Sequence, residues 1–215
     1  MTASPEPPRR RRRFRLVAVT LCVIAAVALL VSCVSSQPAR AGIVSDGAGR
    51  PIPDAYVLAV HWGKNYGGLV HATSFVCAGE LLRTDATGRY EIDARWLFTR
   101  PLVGEIEPVV VAVYAPDHRA GVHDPQFGRF DMSLPTEVDA PSWFDAISGL
   151  RRLAMQGDGE WLDLDSDARA ELHALIVREF ERFLAAHGDE DRGDGIPWRR
   201  SAQDMLEWDR AHEPG

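Results

Sequence analysis

Thr84-Asp85-Ala86-Thr87-Gly88-Arg89-Tyr90-Glu91-Ile92-Asp93-Ala94-Arg95 is the stretch on which the fold turns. Asp85 to Gly88 reads as a tight turn whose glycine takes a left-handed backbone that other residues avoid. Strict alternation follows. Tyr90, Ile92 and Ala94 point one way; Arg89, Glu91, Asp93 and Arg95 point the other. Period-two patterning predicts a half-buried antiparallel strand. Outward from it, Ala55 to Trp62 is apolar on both faces, as for a strand covered on both sides. Pro108 to Tyr114 is a β-branched run and predicts a core strand. Val70 to Cys77 predicts another, and Ala41 to Asp46 a short one before the turn Gly47-Ala48-Gly49-Arg50-Pro51. Short strands separated by turn signals predict a mainly β chain folded as a sandwich.

The segments Gly42-Ile43-Val44-Ser45-Asp46, Gly49-Arg50-Pro51-Ile52-Pro53-Asp54-Ala55-Tyr56-Val57 and Thr84-Asp85-Ala86-Thr87-Gly88-Arg89-Tyr90-Glu91-Ile92 resemble the carboxypeptidase regulatory-like domain. Tyr114-Ala115-Pro116-Asp117-His118 falls where that family often has an aromatic strand end. The resemblance runs over residues 41–122 or so. It implies a transthyretin-like or Ig-like β-sandwich with an accessory, folding or interaction role; its motifs are structural and do not point to an enzyme.

Three helical patterns follow. Pro141 to Met155 spaces Trp143, Phe144, Ile147, Leu150 and Leu153 on one face. Asp167 to His187 does the same with Leu172, Leu175, Ile176, Phe180, Phe183 and Leu184. Asp165 or Ser166 is placed to cap the second, and Gly188 to end it. Ser201-x-x-Asp204 resembles a capping box opening a last helix with Leu206 and Trp208. These helices are expected to pack on the sandwich.

The amino-terminal end has a different character. Six arginines lie between Arg9 and Arg15, the uncharged run Leu16 to Ser32 follows, and Cys33 closes it. A basic stretch, an apolar stretch and a small residue before a boundary make up a secretory signal. Leu30-Val31-Ser32-Cys33 resembles the lipobox of bacterial lipoproteins. The resemblance implies cleavage between Ser32 and Cys33, a diacylglyceryl group on the Cys33 thiol, and acylation of the new amino terminus. More than one acyl chain makes such anchoring stable. Arg11, Arg12 and Phe14 faintly resemble a twin-arginine signal, but Arg15 stands where that motif has Leu, and a polybasic leader accounts for the same residues. The expected organisation is a signal peptide over 1–32, a lipidated tether over 33–40, a β-sandwich over 41–136 and a helical extension over 137–215.

Removing residues 1–32 takes away six arginines and one glutamate. It leaves 18 basic against 30 acidic residues, a formal charge near −12. So acidic a body is unsuited to nucleic acid. Three cysteines are too few for a disulfide scaffold. With Cys22 removed and Cys33 acylated, Cys77 is alone and is expected to be buried. Asp163, Asp165 and Asp167 alternate like a calcium loop, but Ala168 and Ala174 occupy the positions where that loop needs Gly and Glu. No nucleophile-elbow, Walker or dinucleotide-binding motif is present. The histidines lack paired metal-ligand spacing. The expectation is an envelope lipoprotein without a cofactor or metal, acting as a non-enzymatic interaction or structural module. Its partners would be the membrane, through the lipid on Cys33, and an envelope protein. Val34 is not Asp, which points to the periplasmic face of the outer membrane if the cell is Gram-negative. The first rival is a glycan- or peptide-binding protein contacting its ligand through Trp62 and Tyr66 beside the Gly63–Gly68 loop. The second binds a metal through His61, His71, His118 or His123.

Overall fold

In the computed structural model, the described residues are 17–27, 34–65, 73–98, 104–106, 109–116, 118–123, 130–134, 139–155, 161–190 and 197–213. Strand β3 (Tyr56–Asn65) organises the rest. Its first half is covered on both faces, as the apolar run Tyr56 to Val60 requires, and residues 56–60 are at most 6% exposed. On one side it pairs antiparallel with β4 (Thr73–Arg83), on the other with β8 (Val110–Ala115). Strand β9 (His118–His123) extends the sheet beyond β8, and β7 (Gly104–Ile106) pairs with the far end of β3. A second sheet has β2 (Arg40–Asp46) at its centre, antiparallel to β5 (Arg89–Ile92) and parallel to β10 (Met132–Leu134). A separate antiparallel ribbon joins β1 (Val34–Gln37) to β6 (Arg95–Phe98). Helix α1 covers residues 17–27. Helices α2 (Ala140–Ala154), α3 (Ser166–His187) and α4 (Trp198–Ala211) form a layer of their own.

The two faces of β3 belong to two cores. Val57 and Ala59 join Val111 and Val113 of β8 against Val44, Tyr90, Ile92 and Leu134 of the smaller sheet. Tyr56, Leu58 and Val60, with Ala112 and Tyr114, face Phe144, Ile147, Leu172, Ile176, Phe180 and Phe183 of the helices. The order of layers is therefore small sheet, larger sheet, helices. This overturns the expected mainly β-sandwich. The chain is mixed α/β, and helix outweighs strand. The physical reason lies in the strand sequences. The Tyr56-Leu58-Val60 face needs an apolar cover, and the stripes of α2 and α3 supply it. The carboxy-terminal helices are half of the hydrophobic interior, not an addition to a finished sandwich.

Local details follow the sequence where side-chain chemistry is strong. Gly88 has φ +73, and a Cβ there would lie 2.5 Å from the Val44 carbonyl oxygen, so the 85–88 turn requires glycine. Asp139 caps α2 by accepting from the Ser142 amide (2.9 Å), and Asp165 caps α3 by accepting from the Ala168 amide (2.8 Å). The alternating aspartates thus include a helix cap. Helix α4 departs from expectation. It starts at Trp198 after Pro197, and Ser201 lies inside it. Trp198 is 5% exposed and packs 4.8 Å from Phe144 and 5.6 Å from Phe183, ring centre to ring centre. Burying that indole, after a proline of fixed φ, starts the helix a turn early. Residues 34–37 form β1, so half of the expected tether is ordered strand. β3 runs through Gly63, Lys64 and Asn65, which were expected in a loop.

Two polar fastenings hold the helical layer. Glu179 of α3 is 1% exposed; it accepts from the Tyr114 hydroxyl and from Arg182 Nη1 (3.0 Å), and Trp143 Nε1 donates to the Tyr114 oxygen (3.3 Å). Burial, and then the Glu179 hydrogen bond, push the Tyr114 phenol well above its ordinary pKa. Between α2 and α4, Arg151 Nε donates to Asp209 Oδ1 (2.7 Å), whose residue is fully buried. His173 Nε2 donates to the Asp209 carbonyl (3.0 Å). Arg151→Leu leaves the Asp209 carboxylate buried without its cation. It is expected to lower the unfolding free energy by about 3 kcal/mol in urea denaturation. Replacing both residues with Leu is expected to recover most of that loss.

Candidate functional site

A cleft of about 380 Å³ lies where β4 meets the β1–β6 ribbon, lined by Cys77, Ala78 and residues 93–97. Its floor comes from an irregularity in β4. Ala78 pairs with His61 and Val76 with Trp62, so Cys77 is an extra residue, a β-bulge. The bulge brings the Cys77 sulfur over Gly63, where a Cβ would stand 2.9 Å from it and 2.6 Å from the Phe75 ring. Glycine at 63 makes room for both. The wall is β6. Arg95 reaches across to Glu80 (2.8 Å) and points toward the Gly79 carbonyl (3.5 Å). Beneath, His61 sits opposite Ala78, 1% exposed, and neither ring nitrogen has a hydrogen-bond partner.

The electrostatics define what this cleft can do. Burial, and then the positive charge of Arg95, lower the His61 pKa to about 4, so the ring is neutral at pH 7. Burial raises the Cys77 pKa, so its sulfur is a thiol and not the nucleophilic thiolate. Burial also raises the Glu80 pKa, opposed by Arg95. Arg95 is committed to Glu80. These groups suit binding and packing; they do not make an acid–base pair. Among the described residues, no three His, Cys, Asp or Glu side chains converge in a metal-binding arrangement. A second concavity of about 500 Å³ runs between α2 and α4, with Phe144, Met205 and Trp208 against Arg151, Ser201 and Asp204.

The residues singled out from sequence separate in the structure. Ser32, Cys33, Tyr66 and His71 lie outside the described residues. Trp62 is half-buried and packs against the helical core, not free beside a loop. His118 and His123 are at opposite ends of β9, and β9 is two strands away from β3, about 10 Å. Cys77 is half-buried at the cleft rather than within a core. Arg95 was missed. The alternation from Arg89 reads it as one more outward residue of a single strand. β5 stops at Ile92, however, and β6 begins at Arg95 in a different sheet. The adjacent pair Asp93-Ala94 was the only local sign of that break.

His61 makes stability depend on pH. Between about pH 6.5, the ordinary value, and about pH 4, the unfolded chain binds a proton that the folded chain refuses. Stability is fully present above this window. It is expected to fall by up to about 3 kcal/mol as pH drops through it. Denaturant titrations from pH 7 to 4 should show that fall in the wild type and a flatter curve in His61→Leu. No family model matches the chain, and no curated protein matches it.

Proposed function

We propose that this chain is a lipid-anchored protein of the bacterial cell envelope, held through Cys33, whose α/β body is a non-enzymatic interaction or structural module. The carrying observation is the amino-terminal pattern of six arginines, an uncharged run of 17 residues and a cysteine. Helix α1 supports it. Val17, Val19, Leu21, Val23, Ile24 and Val27 are 52–61% exposed, and no residue of the helix is covered. A helix apolar all round is stable only in an apolar surrounding. No helix among the described residues is long and apolar enough to cross a membrane.

The charge of the body fits the same reading. At about −12 it is repelled by anionic lipid, so attachment falls to acyl chains, each buried CH₂ contributing about 0.8 kcal/mol. A protonated Cys77 and a neutral, unpartnered His61 favour binding over catalysis. Val34, where an Asp would signal inner-membrane retention, favours the periplasmic face of the outer membrane in a Gram-negative cell.

Growth with radiolabelled palmitate followed by immunoprecipitation tests the anchor. The wild type is expected to carry label and to sediment with membranes; Cys33→Ser is expected to lose the label and keep residues 1–32. A soluble, unlabelled wild-type chain overturns the reading.

A further inference from the structure

We infer that the β1–β6 ribbon is a membrane-contact surface, with Trp96 seated in the headgroup layer beside the lipid anchor. The inference rests on acylation of Cys33. Strand β1 begins at Val34, the residue after that cysteine, and pairs Val34 with Phe98 and Ser36 with Trp96. There is no slack between anchor and ribbon. Cys33 is one Cα step, about 3.8 Å, from Val34. Trp96 is level with Ser36, two residues and about 7 Å further along the strand. The Trp96 Cα is therefore within about 10 Å of the level at which acyl chains would leave the protein. The polar layer of one leaflet is about 5–8 Å deep, and an indole spans the remainder.

The side chains at this place suit a lipid surface. Of the six tryptophans in the chain, Trp62, Trp143, Trp161, Trp198 and Trp208 are buried or half-buried, while Trp96 is 69% exposed. Its strand partner Ser36 is exposed, whereas Leu97, the next residue, is 4% exposed and faces inward. The indole stands on the outer face of the ribbon, and from Val34 to Ser36 and from Trp96 to Phe98 the two strands carry no charge. An amphipathic ring of this kind partitions to the membrane–water boundary. A water-facing ribbon gains nothing from it. Because β6 also walls the cleft over Cys77, this contact sets the attitude of the body to the bilayer and places the cleft mouth near the lipid surface.

The test uses the full, processed protein reconstituted in vesicles of dibrominated phosphatidylcholine, whose bromines quench tryptophan on contact. Intact mass is measured on the same sample, with Trp96→Phe as the comparison and its thermal unfolding checked against wild type. The expected result is a loss of emission in brominated relative to unbrominated vesicles for the acylated wild type, absent in acylated Trp96→Phe. Equal quenching of both acylated proteins, or of neither, overturns this inference and leaves the anchor standing. A mass without acyl groups overturns the anchor, and this inference with it.

Discussion

One carboxylate decides how the helical layer sits on the sheet. Glu179 lies among the buried residues of α3, which otherwise are Leu172, His173, Leu175, Ile176, Phe180 and Phe183. Apolar contact has no direction, and the α3 stripe alone would accept more than one position on the sheet. A buried carboxylate accepts only a position that supplies donors. The Tyr114 hydroxyl on β8 and the Arg182 guanidinium one turn along α3 provide them, and Trp143 on α2 completes the chain of bonds. A shift by one helical turn would take Glu179 away from the Tyr114 hydroxyl. Arg83 of β4, bonded to Glu171 of α3 (2.6 Å) and stacked over Tyr56, makes a similar demand nearer the surface. The register of helix on sheet is thus specified by polar atoms, and apolar area supplies the bulk of the favourable free energy.

That register explains why β3 is apolar without interruption from Tyr56 to Val60. A strand in a two-sheet protein with one wet face would alternate; β3 is the middle of three layers. Its odd-numbered residues close the core beneath the smaller sheet, and its even-numbered residues close the core beneath the helices. The alternation reappears in β5, at the outer layer, where Tyr90 and Ile92 are buried and Arg89 and Glu91 are exposed. Depth in the stack, more than local propensity, separates the two patterns.

Much of the local structure was legible for that reason. The turn at 85–88, the alternation of β5 after it, and helices α2 and α3 with the Asp165 cap all rest on short-range chemistry that operates wherever the segment is placed. What was not legible depended on partners distant in sequence. The fold class reads as mainly β because the helices are expected only to pack on a sandwich, and nothing local shows that they close one of its two cores. β1 reads as a tether because Val34-Ser35-Ser36-Gln37 has little strand character of its own; pairing with β6 orders it. α4 was started at Ser201 because a capping box is a local signal, and the burial of Trp198 against Phe144 is not. At the cleft, Cys77 could be named from sequence, but its neighbours could not. His61 and Cys77 are brought together by a bulge, and Arg95 by a strand break, and neither leaves a mark in composition or periodicity.

The pairing of β10 with β2 bears on how the chain reaches this state. Met132 to Leu134 lie parallel to Val44 to Asp46, and Ser45 donates to the Met132 carbonyl across 87 positions of sequence. The smaller sheet is unfinished until its last strand has left the ribosome, and the Tyr56-Leu58-Val60 face is bare until the helices after residue 139 follow it. Neither core can close on a partial chain. Loop-closure entropy therefore has to be met before most long-range contacts return any of it, which makes for slow folding in a nearly all-or-none step. If the chain is exported as proposed, that delay would keep it open for transport.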